Sequence, residues 1–236
     1  MLIVEGQARA AHAVGALVIW DLAHSAGAFE VDLDGCNADF AVGCTYKYLN
    51  AGPGGPAFLY VAHRHQDAAQ QPLTGWIGHA DPFAMSSAYE PAKGIRKFLT
   101  GTPSILAFAP LEASLDIWET VSMADVRAKS VALADLFIAM VDALPKSYRL
   151  SLASPREAAE RGSQVSFRHP HAYQIMKALI ADGVIGDFRA PDITRFGLTP
   201  LTLCYGDIVE AVRRLDRIMH TEKWRAFPDD RGSAVT

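Results

Sequence analysis

The chain has 236 residues, 50% of them hydrophobic, enough to bury the core of one large or two modest domains, which excludes a disordered polypeptide. Its 22 basic and 26 acidic side chains leave a formal net charge of -4, so it carries no electrostatic footprint for nucleic acid. A small molecule is the expected partner.

In chain order, Ala8, Ala11, Ala13 and Val14 give helical periodicity over 7–14, with a stop at Gly15. An apolar strand, Ala16-Leu17-Val18-Ile19-Trp20, then runs into Asp21. A turn at 25–28 and an acidic loop through Asp32 and Asp34 lead to a second strand, Phe40–Cys44, which runs into Thr45, Tyr46, Lys47 and Tyr48. The glycine-proline turn 52–56 is so short that the third strand, Ala57–Val61, is expected to return antiparallel. Residues 70–102 show little periodicity, and a loop of that length in a compact domain points to function.

Pro103 suits the first position of a helix over Ile105–Trp118, and a second helix over 123–144 is ended by Pro145. The remainder alternates extended segments (149–152, 164–167, 184–189, 193–198) with helices over 171–182 and Tyr205–His220. Asp207 near the front of the last helix and Arg213, Arg214 and Arg217 towards its end match the macrodipole. The tail after Trp224 is expected to fray. The fold class is α/β, with a large domain over 1–103 followed by a smaller α+β domain over 104–236.

Chemistry concentrates at two strand ends. If the first two strands lie parallel, Asp21 and Lys47 stand at the carboxyl ends where open α/β sheets bind ligands. An acid and an amine so placed suit pyridoxal 5'-phosphate (PLP), which needs a lysine for its Schiff base and a carboxylate to keep its pyridine nitrogen protonated. Partial burial between two tyrosines would lower the Lys47 pKa, as that chemistry requires; the alternative is a lysine that snorkels to solvent. A carboxylate ending an apolar run needs a cation or several hydrogen bonds, and the alternative for Asp21 is a helix N-cap. His24, three residues on, is placed to hydrogen-bond a cofactor group or to serve as an ordinary loop histidine.

Arg195, within an extended apolar segment, can present its fork to a substrate carboxylate or to a structural partner. Trp76 and Thr102 flank the irregular stretch, where an indole N–H and a hydroxyl can serve as phosphate donors; core packing and helix capping are the alternatives. His63, His65 and His79 lack a recognisable ligand frame, so no metal site is expected. Cys36, Cys44 and Cys204 have neither CxxC spacing nor disulfide-framework density. The first residues lack a basic n-region, and no apolar run approaches the ~18 residues of a membrane span, so a cytoplasmic chain without membrane attachment is expected.

Taken together, the strings at 20–28 (WDLAHSAGA), 44–61 (CTYKYLNAGPGGPAFLYV), 75–85 (GWIGHADPFAM), 98–107 (FLTGTPSILA) and 191–201 (PDITRFGLTPL) resemble kynureninase over nearly the whole chain. The resemblance implies the PLP-dependent transferase-like fold of aspartate aminotransferase type, here an incomplete large domain followed by the small one. It also implies hydrolysis of L-kynurenine, with 3-hydroxykynurenine as a further candidate, to anthranilate and L-alanine in tryptophan catabolism. Carried over, Lys47 holds the cofactor, Asp21 pairs with the pyridine nitrogen and His24 lies beside the ring. Tyr46 contacts the phosphate and donates a proton, and Arg195 clamps the substrate α-carboxylate. Trp76 and Thr102 reach the phosphate of a neighbouring subunit's cofactor, which implies a homodimer with shared active sites. The family carries a phosphate loop and a ring-stacking aromatic ahead of the Asp21 strand that this sequence does not show. The competing expectation is accordingly a non-catalytic remnant of a fold-type I PLP enzyme.

Overall fold

The computed structural model describes residues 2–230. They form two compact units, the first ending at Val121 and the second beginning at Ser122. The sequence reading put its boundary at 103/104. The helix that follows, Ile105–Trp118, is held to the first unit by the Ser114 hydroxyl, which donates to the Leu49 carbonyl at 2.6 Å.

In the first unit, α1 (Leu2–His12) closes in a turn in which Gly15 takes a φ of 76°. Three strands follow, β1 (Ile19–Asp21), β2 (Phe40–Cys44) and β3 (Ala57–Val61), in the spatial order β1-β2-β3. β1 runs parallel to β2 with Asp21 opposite Val42, and β3 returns antiparallel with Leu59 opposite Val42, the direction its short connection allows. β1 is shorter than its apolar run because the Val18 amide is donated to the Asp39 carboxylate at 2.9 Å.

Residues directly opposite one another share a sheet face. The face carrying Ile19, Asp21, Val42 and Leu59 is exposed, with Ile19 at 67%, whereas Ala41 and Gly43 on the other face are buried. Gly43 lets the Phe58 ring lie close over it, since a Cβ would come 2.2 Å from that ring.

Residues 70–102 contain two short 3₁₀ turns, Trp76–Gly78 and Gly94–Phe98. The stretch is pinned by the buried Lys97, whose ammonium donates to the carbonyls of Asp67 and Ala69. A one-turn helix that the sequence reading missed, α2 (His63–Gln66), carries His63 and His65. α3 (Ile105–Trp118) starts after Ser104 instead of at Pro103 and contains Pro110; its Ile105, Leu106 and Ile117 are exposed.

The second unit holds the large apolar cluster. Its α4 (Met123–Asp142) is opened by Ser122, whose hydroxyl oxygen accepts the Asp125 N–H at 3.0 Å. The strands β4 (Ser151–Leu152), β5 (Gln164–Arg168), β6 (Asp187–Arg189) and β7 (Ile193–Gly197) form an antiparallel sheet in the order β4-β5-β7-β6. Between them lies α5 (Ala172–Ala181), and α6 (Tyr205–His220) follows. α6 buries Ile208, Val212, Leu215, Ile218 and Met219, the three-and-four spacing of an amphipathic helix. They pack with Phe137, Phe167, Ile175, Met176 and Leu179 into one core. The expected extended segment 184–189 shortens to Asp187–Arg189, and Gly183, Val184 and Ile185 line a cavity of about 480 Å³. The frayed tail expected after Trp224 begins with a 3₁₀ turn, Lys223–Ala226, and residues 231–236 lie outside the described range. No helix among the described residues is long and apolar enough to cross a membrane.

Candidate active site

Asp21 is the last residue of β1, and Lys47 lies in a bend three residues past the end of the parallel strand β2. Both stand at the carboxyl end of this strand pair, as the sequence spacing requires. After Asp21 the chain turns tightly, with the Ser25 and Ala26 amides donating to the Leu22 carbonyl. That turn presents His24, whose Nδ1 lies 3.4 Å from the Lys47 amine.

Lys47 is half-buried between the exposed Tyr46 and the buried Tyr48, with its amine 5.4 Å from the centre of the Tyr46 ring. The segment is held from behind. The Thr45 hydroxyl, itself buried, donates to the Pro56 carbonyl at 2.6 Å, and the Asn50 amide donates to the Lys47 carbonyl at 3.0 Å.

Asp21 is not the buried carboxylate that its apolar approach suggests. It is exposed, and its Oδ1 accepts the Ala23 N–H at 2.8 Å in a local turn, leaving Oδ2 without a hydrogen bond among the described residues. An open carboxylate oxygen, an amine and an imidazole at one sheet end form a donor set that accepts a cationic ring nitrogen and a carbonyl carbon. The set therefore fits PLP.

The other expected residues lie on other segments of the chain. Trp76 opens the first 3₁₀ turn, is 49% exposed and meets Phe83 edge-on at 5.9 Å, so it is not packed in a core. Thr102 is exposed and does not cap α3, whose N-cap is Ser104. In the second unit, Arg195 on β7 is half-buried and its guanidinium donates to Asp187, a carboxylate shared with Arg189 at 2.7 Å.

Residues 126–215 match the family described as the kynureninase C-terminal domain. The chain is 56% identical over 210 residues to the kynureninase of Deinococcus radiodurans, a match covering 89% of this chain and 51% of that protein. It is 54% identical over 222 residues to the kynureninase of Burkholderia mallei, covering 94% and 53% respectively. Nearly the whole of the chain is thus similar to kynureninases. It spans about half the length of these curated relatives.

Among solved structures the chain resembles a cysteine desulfurase from Thermococcus onnurineus, with a TM-score of 0.75 at 22% identity, covering 92% of this chain and 56% of that one. It also resembles the cysteine desulfurase CsdA from Escherichia coli, with a TM-score of 0.74 at 18% identity and coverages of 92% and 55%. At such identities these likenesses establish the fold alone.

The most strongly perturbed carboxylate of the first unit went unnoticed in the sequence. Asp39, 1% exposed just before β2, accepts hydrogen bonds from His12 at 2.8 Å, His65 at 2.7 Å, Arg64 at 2.7 Å and the Val18 amide at 2.9 Å. Burial pushes its carboxyl up, but the bonds from His12, His65, Val18 and Arg64 together outweigh it and hold the group far below the usual carboxylate range. The signal was present: Asp39 abuts an apolar strand, and His65, set aside as a metal ligand, is one of its partners. Lying before β2, at the opposite end of that strand from Lys47, this network ties α1, β1, β2 and α2 together.

Proposed function

We propose that this chain carries the lysine-bearing part of a kynureninase site, acting in PLP-dependent hydrolysis of L-kynurenine to anthranilate and L-alanine, with 3-hydroxykynurenine as an alternative substrate. The observation that carries this reading is the 3.4 Å approach of Lys47 to His24 at the sheet end shared with Asp21, in a chain 54–56% identical to kynureninases.

Lys47 is the residue to hold PLP covalently and, once displaced by substrate, to carry the proton at the substrate α-carbon. Bound there, PLP supplies a protonated heteroaromatic ring that draws electron density from the bonds of the attached amino acid. Asp21, through the oxygen that has no partner, is the residue to keep that ring nitrogen protonated. His24 orients the Lys47 amine. Tyr46, exposed beside Lys47, is the donor that returns a proton to the alanyl carbon after the Cβ–Cγ bond breaks. Trp76 and Thr102 are assigned to the phosphate of a neighbouring copy's cofactor in a homodimer, a role supported by their exposure. Arg195, whose fork already engages Asp187, is assigned to the substrate α-carboxylate.

The test is absorbance of the purified chain after addition of PLP, with Lys47→Ala as control, followed by anthranilate fluorescence on addition of L-kynurenine. A band that depends on Lys47, followed by anthranilate release, supports the reading. A second reading, a chain that keeps the family fold without turning over substrate, is favoured by the exposure of Asp21 and of the sheet face around it. A spectrum identical for K47A and the natural chain leaves only that one.

A further inference from the structure

The second unit contains a cavity of about 360 Å³ whose lining has no part in the chemistry above. Three segments build its charged rim. The turn after α4 supplies Arg149, the loop between β5 and α5 supplies His169 and His171, and the end of α6 with the turn beyond it supplies His220, Glu222 and Arg225.

The charges do not cancel. Glu222 is the carboxylate of the lining, and it is already bound by Arg225 at 2.9 Å. Arg149 has no ion pair or hydrogen bond from its side chain among the described residues. It lines the cavity from a residue whose backbone lies in the left-handed region, with a φ of 58°. Trp224, 5% exposed, forms an aromatic floor: the His171 ring stacks on it at 4.6 Å, and the Arg225 guanidinium lies 4.6 Å from its ring centre. The Nδ1 of His171 is engaged by Gln174 at 3.1 Å, which leaves its Nε2 for another partner.

We propose that this cavity binds a small soluble oxyanion, phosphate or a phosphate monoester, with Arg149 as its principal donor and His171 and His220 completing the rim. His169 stands at the cavity wall beside these groups. Its imidazole is pushed down to about 4, first by burial and then by the positive charges of His171 and Arg149. A guanidinium without a carboxylate partner is the usual recognition element for phosphate, because its fork matches two oxygens at once.

The experiment is titration of the full chain with inorganic phosphate at low ionic strength, read by the imidazole C–H resonances of His171 and His220. These report this cavity and not the Lys47 region, so the outcome is independent of the PLP reading. Saturable shifts of both resonances are expected. Arg149→Gln should weaken the affinity about tenfold, the size of one charge-assisted hydrogen bond. Arg213→Gln, on α6 outside the cavity lining, should leave it unchanged. Glu222→Gln removes the only acid of the lining and should tighten binding, a gain that a loss of folding cannot imitate. Resonances that do not move, or a natural-chain affinity retained in both R149Q and E222Q, overturn the proposal.

Discussion

The Lys47 amine and the Nδ1 of His24 lie 3.4 Å apart, so the turn after β1 and the bend after β2 meet through these two side chains. At that distance His24 accepts a hydrogen bond from the amine when its Nδ1 is unprotonated, and it fixes one of several rotamers open to a long lysine. Lys47→Ala is therefore expected to abolish the PLP-dependent absorbance band. His24→Gln should retain the band with PLP affinity about tenfold weaker, the loss of one hydrogen bond to a charged group. Spectrophotometric titration with PLP measures both, and equal loss in the two variants would remove His24 from its orienting role.

Asp39 ties stability of the first unit to acid. Its carboxyl titrates far below the ordinary value because its bonds to His12, His65, Val18 and Arg64 overcome burial. A group whose folded-state pKa is depressed contributes stability that is complete above its unfolded value and lost as pH falls through the folded one. The loss should begin below about pH 4. Asp39→Asn should remove this dependence and lower stability at pH 7, because His12, Arg64 and His65 then lose their shared negative charge and one of its two acceptor oxygens. Urea unfolding of the first unit, followed by circular dichroism at pH 7, 5 and 3, checks it.

The second unit has its own, higher acid window. Burial, then His171 and Arg149, push His169 from 6.5 down to about 4, so the unfolded chain takes up a proton that the folded chain refuses. With fewer protons bound in the folded state, stability falls as pH drops from 6.5 towards 4, by about 3 kcal/mol in total. His169→Gln should flatten the dependence across this range. The fluorescence of Trp224, which packs edge-on to His169 at 6.0 Å, reports it. A natural chain whose midpoint does not change between pH 6.5 and 4.5 would contradict the assignment.

The exposed sheet face predicts self-association. Val42 and Leu59 lie opposite one another, Ile19 lies one pair away on the same face of β1, and β1 is an edge strand of the described sheet. An open edge beside an apolar face favours edge-to-edge pairing. Ile19→Lys places a charge at that edge and should raise the concentration at which the chain associates. Sedimentation velocity over a concentration series measures this; unchanged association would place the contact elsewhere, with exposed Leu106 and Ile117 on α3 as the next surface to alter.

How much of this was legible in the sequence depended on where side-chain partners lay. Strands β2 and β3 and the helices α3 and α6 follow from apolar periodicity and from breakers at their ends, because backbone bonding there is local or between neighbours. The parallel pairing that gathers Asp21 and Lys47 was likewise visible, since both residues end apolar runs. Which aspartate is buried was not legible, and Asp39 drew no reading at all. Asp21 ends its run but is exposed, whereas Asp39 precedes its run and is enclosed by His12, Arg64 and His65 from two helices, which no local pattern displays. The single turn of α2 escaped for the same reason: it buries no residue and is held by His65 and Arg64 reaching Asp39. Arg195 carried two readings, and the Asp187 that engages it lies across the β6–β7 pair, directly opposite in register.

Gly27 controls how closely the Asp21 turn approaches the lysine segment. It takes a φ of 80°, and a Cβ there would lie 2.8 Å from the carbonyl carbon and oxygen of Tyr48, the residue after Lys47. Both the left-handed backbone and the close approach exclude a side chain, and the obstacle is main chain, which cannot rotate aside. Gly27→Ala should therefore destabilise the first unit by about 1–3 kcal/mol and force the two segments apart. Because His24 sits on one segment and Lys47 on the other, the PLP band should weaken along with stability. Gly52→Ala is the matched control: it has a similar φ of 77° with nothing within 4 Å of the added atom, so it bears the backbone strain without the collision. If both variants bind PLP alike, the approach of the two turns is not what orders the amine; if only G27A loses it, the 3.4 Å contact between His24 and Lys47 depends on this glycine.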